Sequence, residues 1–301
     1  MRLAGIDPPA VSELSHPTMK KNPLNKFAML GLIDLFALPS GLLMTTLLWI
    51  PFATPVQSAE SGVTNVIAPL PGYSLVWSDE FDGTALDAAK WTYRTDSKNL
   101  STQKSENVVV KDGLLRLTLK KEEAGGKSYT GAGIISRPAF KYGYYEARIK
   151  MPAGDGWHNS FWLMKHDGSG TTDSQEASQG IDVAQNDSID HQSYTVAINK
   201  YNPLPTETLG YQRLPSPDLT TDFHVFGCEF TPDASKFFLD GKLVQTVDAA
   251  RIPQGEMNLW FSSIASHLGG TPQVDNAALP QEAQCDYIRI YSKTNEAPSA
   301  K

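Results

Sequence analysis

Cysteine is almost missing from this chain: among 301 residues only Cys228 and Cys285 carry a thiol. That excludes a disulfide-dense small domain and a sulfur-ligated zinc site, both of which need several closely spaced cysteines. Each of the two lies in a strand-like run and is expected to fill a core position as a free thiol. The six histidines are scattered, with no pair at metal-ligand spacing, so no metal and no cofactor is expected. Runs of basic residues are lacking too, and the net charge of −7 argues against a nucleic-acid surface. A neutral or weakly charged partner is favoured instead, and nothing implies a protein partner.

Helical periodicity is absent, and so are internal repeats. An unbroken apolar run of the roughly 20 residues that a membrane span requires is also missing. The nearest approach lies near the start, where Lys20, Lys21 and Lys26 precede an apolar stretch ending at Gly41–Phe52, interrupted by Asp34, Pro39 and Pro51. Lysines, an apolar run and then small residues around Val56, Ser58 and Ala59 form the layout of an exported leader, with Met19 as an alternative start. The expectation is a leader over residues 1–59, a domain over 60–294 and a polar tail over 295–301. The protein would then be secreted, periplasmic or on the cell surface, with an uncleaved anchor as the rival reading.

What the chain does contain is strands. From Tyr73 onward, short β-branched and aromatic runs alternate with clusters of Gly, Pro, Asn and Asp. The clear ones are Ser105–Val110, Leu114–Leu119, Gly143–Lys150, Phe223–Phe230 and Asp286–Tyr291. Asp112-Gly113 and Asp240-Gly241 read as hairpin turns, because Asp-Gly supplies the positive φ angles that two-residue turns demand. Many antiparallel strands of this length close as two packed sheets, one of which can hold an extended polymer. The fold class is therefore all-β.

Further segments stand out along the chain: Leu75–Gly83 (LVWSDEFDG) with Leu86, Asp87, Lys90 and Trp91, then Tyr142–Pro152 (YGYYEARIKMP) and Phe161–Met164 (FWLM). Glu229–Pro232 (EFTP), Phe238–Gly241 (FLDG) and Asp286–Tyr291 (DYIRIY) complete the set. Taken together and in this order, they resemble glycoside hydrolase family 16, the laminarinase, agarase and lichenase family. The resemblance implies a concanavalin-like jelly-roll β-sandwich with a concave glycan-binding cleft. It also implies a polysaccharide ligand, β-glucan or marine galactan-like.

The family's catalytic strand has the form Glu-x-Asp-x-x-Glu. Side chains alternate along a strand, so its third carboxylate reaches the face of the first two only if a bulge adds one residue. Two carboxyl groups about 5–5.5 Å apart then suit a retaining mechanism. In this chain the matching segment is Gln179–Asp187 (QGIDVAQND). Asp182 matches the central aspartate, but Gly180 stands at the nucleophile position and Gln185 at the acid/base position. Neither replacement forms a glycosyl ester or exchanges a proton with a leaving oxygen. Glu176, Asp173 and Asp187 are the nearby acids that a relocated mechanism would need, and each reads first as a solvated loop or turn residue.

Trp157, His158, Asn159 and Trp162 fall where the resemblance places a cleft wall. Trp157 is expected to stack on a sugar, while Trp162 divides evenly between stacking and core. Trp77, Trp91 and Trp260 read as core or rim. In His191–Tyr201, alternation puts Tyr194, Val196, Ile198 and Lys200 on one face and Thr195, Ala197, Asn199 and Tyr201 on the other, with the second, more polar face toward the cleft. Gln185 and Asn199 are expected to contact the ligand. Three readings stay open: a glycan-binding protein without hydrolysis, a hydrolase with relocated acids, and a lyase acting on uronic-acid polymers. The lyase would abstract its proton with His158, His191 or a tyrosine, while Gln185 and Asn199 hold the substrate carboxylate.

Overall fold

The computed structural model describes residues 69–165, 179–202, 204–248, 254–267 and 273–294. The proposed leader, the polar tail, Asp173 and Glu176 lie outside the described residues.

Two sheets face each other. The first is assembled from β1 (Tyr73–Asp79), β5 (Val108–Lys111), β6 (Leu114–Leu119), β8 (Gly143–Lys150), β13 (His224–Phe230), β14 (Ala234–Leu239), β15 (Lys242–Asp248) and β17 (Gln281–Lys293). Its spatial order is β15-β14-β13-β8-β17-β6-β5, with β1 also on β17. The second sheet contains β2 (Trp91–Tyr93), β3 (Ser97–Lys98), β4 (Ser101–Gln103), β7 (Tyr129–Ser136), β9 (Trp157–Met164), β10 (Gln179–Asn186), β11 (Ser193–Lys200), β12 (Glu207–Pro215) and β16 (Asn258–Ala265). Here the order is β12-β11-β10-β9-β16-β7-β4-β3, with β2 on β7. Among the described strand pairs only β4 with β7 is parallel.

Both Asp-Gly pairs turn as the sequence requires. Asp112 and Gly113 have φ of 56° and 71° between β5 and β6, and Asp240 and Gly241 have 49° and 75° between β14 and β15. The predicted strands occur with small changes at their ends. Ser105–Asn107 forms a single 3₁₀ turn before β5, and the terminal strand begins earlier, at Gln281.

The core lies between the sheets. Leu115 and Leu117 of β6, Tyr145, Ala147 and Ile149 of β8, and Phe226, Cys228 and Phe230 of β13 meet Phe161 and Leu163 of β9. Ile181 of β10, Val196 and Ile198 of β11, and Leu259 and Phe261 of β16 fill the same layer. Cys228 and Cys285 are free, fully buried thiols in this layer, as expected from their strand positions. Because β9, β10, β11 and β16 send alternate residues inward, their remaining residues form the outer face of the second sheet.

Candidate functional site on the outer face of the second sheet

One extra residue sets the site. Along β10, Asp182 pairs with Trp162 of β9, yet Ala184 pairs with Phe161, so two steps on β10 match one step on β9. The pairing with β11 shows the same shift, from Asp182 opposite Ala197 to Gln185 opposite Thr195. This bulge returns Gln185 to the outer face that already carries Gly180 and Asp182. The three positions of the motif thus share a face, as the sequence reading required.

Three rows cross the sheet at this point. Met164, Gly180, Asn199 and Thr208 form the first, and Trp162, Asp182 and Ala197 the second. Ser160, Gln185, Thr195 and Arg213 form the third. The polar side of His191–Tyr201 therefore faces outward, while Tyr194, Val196 and Ile198 are core.

Asp182 is buried, and its Oδ2 accepts a hydrogen bond from Asn199 Nδ2 at 2.8 Å. Asn199 Oδ1 in turn accepts from Thr208 Oγ1 at 2.9 Å, which fixes the amide's orientation. Burial raises the Asp182 carboxyl to about 6, and bonding from Asn199, the nearby His158 and bonding from Gln185 hold it from rising further. Gln185 therefore turns its side chain toward Asp182.

Above Gly180 the space is tight. A Cβ built there would lie 3.0 Å from Tyr201 Oη and 3.1 Å from its Cε2. The Tyr201 ring packs beside Trp162, Trp260, Met164 and Ile135, and burial pushes its phenol far up, so it stays protonated. Trp162 and Trp260 lie 5.0 Å apart between ring centres at 33°. Trp260 is fully buried and donates from Nε1 to the Met164 carbonyl at 3.0 Å. Trp162 is half-buried, and its buried Nε1 finds no partner among the described residues. Further along β9, His158 Nδ1 meets Asp187 Oδ1 at 2.5 Å.

Two expected ligand contacts are corrected. Trp157 is fully buried and packs with Leu119, Ala265 and Val274, its ring edge-on to Tyr129 at 6.3 Å. Trp162 lies five positions further on, an odd step, so the two rings leave opposite faces of β9. The preceding Gly156, at φ 91°, lies so close to Val274 that a Cβ there would fall 2.3 Å from its Cα. That close approach seats Trp157 in the interior. Asn159 shares its face and is fully buried, where Oδ1 accepts from Ser263 Oγ at 2.5 Å. His158, Trp162, Asp182, Gln185 and Asn199 are the predicted residues brought together on the outer face. His191 stands in the turn before β11, with Nε2 3.7 Å from Asp155 Oδ1.

Sequence reasoning missed three features. Tyr201 as the occupant of the space over Gly180 depends on cross-strand register, since Gly180 opposes Asn199 and the tyrosine follows two residues later. Arg94 is buried, held by Asp96 at 2.7 and 3.0 Å, and donates to Ser262 Oγ at 3.0 Å on the same outer face. The third is β12, whose polar run gave no strand signal.

Comparisons with known proteins agree with this fold. The family model described as "Beta-porphyranase A-D, GH16 domain" matches residues 75–292. A β-glucanase of Rhodothermus marinus is 30% identical over 251 residues, covering 73% of this chain and 86% of that protein. The κ-carrageenase of Pseudoalteromonas carrageenovora is 29% identical over 263 residues, covering 74% of this chain and 65% of that enzyme. Among solved structures, SCLam, titled a non-specific endo-β-1,3(4)-glucanase from family GH16, superposes with a TM-score of 0.65 at 26% identity. That alignment covers 75% of this chain and 94% of SCLam. From the order of its motifs through its two sheets to its matched span, this chain belongs to glycoside hydrolase family 16.

Proposed function

We propose that the domain recognises an extended β-linked glycan on the outer face of its second sheet and does not hydrolyse it through a glycosyl-enzyme. The observation that carries this reading is the Tyr201 ring over Gly180: no carboxylate stands at the nucleophile position, and a side chain there would have to displace that ring. Gln185 opposite offers an amide, which neither protonates a leaving oxygen nor deprotonates water. What remains suits binding. Half-buried Trp162 stands on the outer face beside Asp182, where a sugar's apolar side could meet it, and Asp182, Gln185 and Asn199 offer a fixed set of hydrogen-bonding groups. We extend the proposal to location: the leader carries the domain across the cytoplasmic membrane, where polysaccharides are met.

The test is a glycan array with the mature chain, followed by titration and product analysis on each hit. Binding without release of reducing ends is the expected result, and Trp162→Ala should weaken it by about 1–3 kcal/mol. Reducing ends released by the unmodified protein would overturn the reading.

A second reading rests on one observation, the His158–Asp187 pair. With Nδ1 held by the carboxylate, Nε2 is the ring nitrogen left for proton transfer. A lyase acting on uronic-acid polymers would release an unsaturated, ultraviolet-absorbing product, and the same product analysis detects it.

A further inference from the structure

Two amides reach Asp182, and for one of them the structure shows what sets its orientation. Thr208 Oγ1 donates to Asn199 Oδ1 at 2.9 Å, and Asn199 Nδ2 donates to Asp182 Oδ2 at 2.8 Å. The hydroxyl holds the carbonyl end of the amide, so the N–H end faces the carboxylate. Gln185 brings the second amide, which also donates to Asp182. Its row, followed away from Asn199, leads to a matching hydroxyl.

Gln185 opposes Ser160 of β9, Ser160 opposes Ser262 of β16, and Ser262 opposes Gly133 of β7. Ser160 and Ser262 are both buried, and their hydroxyl oxygens lie 3.3 Å apart. Arg94, buried as well, reaches Ser262 from beyond β7, where its Nη1 donates to Ser262 Oγ at 3.0 Å. Gly133 permits that crossing. A Cβ there would lie 3.1 and 3.2 Å from Arg94 Cβ and Cδ, and 2.8 Å from Ser262 Cβ.

The Nε and Nη2 groups of Arg94 are held by Asp96 at 2.7 and 3.0 Å, which balances the charge where it stands. What passes along the row is therefore direction. A guanidinium has no acceptor and an ionised carboxylate has no donor. Between those two ends, the Ser262 and Ser160 hydroxyls and the Gln185 amide satisfy one another when every O–H and N–H points from Arg94 toward Asp182. This repeats, on the other side of Asp182, the hydroxyl-to-amide-to-carboxylate order of Thr208 and Asn199.

We propose that Arg94 is a positioning residue for the glycan site: through Ser262 it turns the Ser160 hydroxyl onto the Gln185 carbonyl and so fixes the face that Gln185 offers a ligand. The proposal rests on the glycan-binding reading and adds a residue that acts from outside the motif. Ser262 stands two strands from Gln185, about 10 Å between backbones, and Arg94 stands further off. An amide set in advance costs a ligand less ordering than one that must be set on binding.

The experiment combines NMR spectra of the protein with titration of laminarihexaose and κ-carrageenan hexasaccharide. The side-chain amide signals of Gln185, identified by their loss in Gln185→Glu, should move in Ser262→Ala by more than those of Asn199. Thr208→Ala should reverse that order. Arg94→Lys, which keeps the charge and loses the fork, should move the Gln185 signals as Ser262→Ala does. Ser262→Ala and Ser160→Ala should each weaken the binding of an oligosaccharide about fivefold. In a Gln185→Ala background the effect of Ser262→Ala on affinity should fall below about twofold, a coupling that a general loss of stability does not produce. Gln185 signals that stay in place in Ser262→Ala, or a fivefold loss that persists in Gln185→Ala, overturns the relay and leaves the binding reading standing. Absence of binding to either oligosaccharide counts against the binding reading, and the amide signals alone then decide the relay.

Discussion

Gly180→Glu puts a carboxylate back where the motif lacks one, and the structure states what it must displace. A Cβ at this position already meets Tyr201 at 3.0 and 3.1 Å and the Leu163 carbonyl oxygen at 3.3 Å. The carbons and carboxylate beyond it need the volume that the ring now fills. Overpacking of this kind costs about 1–3 kcal/mol, and a second carboxylate beside buried Asp182 adds like-charge repulsion. Gly180→Glu should therefore lose about 2–3 kcal/mol, or about 4–12 °C in melting temperature for a domain of this size. Tyr201→Ala alone strips a ring from the cluster of Trp162, Trp260 and Met164 and should also destabilise. If the clash is the cause, the two changes together should cost about 1–2 kcal/mol less than their sum. Urea denaturation of the wild type, both single variants and the combination measures that coupling directly. The catalytic corollary is read by reducing-end release. Gly180→Glu with Gln185→Glu should stay inactive while Tyr201 is present, and hydrolysis should emerge only after Tyr201 is truncated. Strict additivity of the stability costs, or hydrolysis with Tyr201 intact, would refute the reasoning.

Asp182 has its carboxyl raised from an ordinary 3.8 to about 6, so between about pH 4 and 6 the folded chain holds this proton more tightly than the unfolded chain. Stability should fall as pH rises through that window, and Asp182→Asn should remove this part of the fall; parallel denaturation profiles from pH 4 to 7 would contradict it. Trp157→Ala, which empties a fully buried site, should cost about 3–5 kcal/mol and lower the melting temperature by about 6–20 °C, as a thermal scan would record. A tagged full-length chain should fractionate as a shortened protein outside the cytoplasmic membrane, and an unprocessed chain in the cytoplasm would oppose export.

Much of the architecture was legible because local chemistry decides it. Asp-Gly at 112–113 and 240–241 can hardly do anything but turn, and the strands beside those turns alternate as their burial does. The face of β11 followed from its sequence for the same reason. Trp157 was misread although the signal was present: counting by twos from Trp162 puts it inside. Tyr201 was on the correct face, but its place over Gly180 depends on register between strands, which a single strand's pattern does not encode. β12 escaped notice because it is an edge strand, largely exposed, whose polar residues mask the alternation.

The bulge after Asp182 makes the site a matter of parity. Every residue of β10 beyond Val183 owes its side of the sheet to one inserted position, so a single-residue deletion there acts as a mirror rather than a gap. It would turn the Gln185 amide into the hydrocarbon layer, bring Asn186 out, and part Asp187 from His158, while the composition of the strand hardly changed. For this sheet, the count of residues between two side chains carries as much chemical information as their identities.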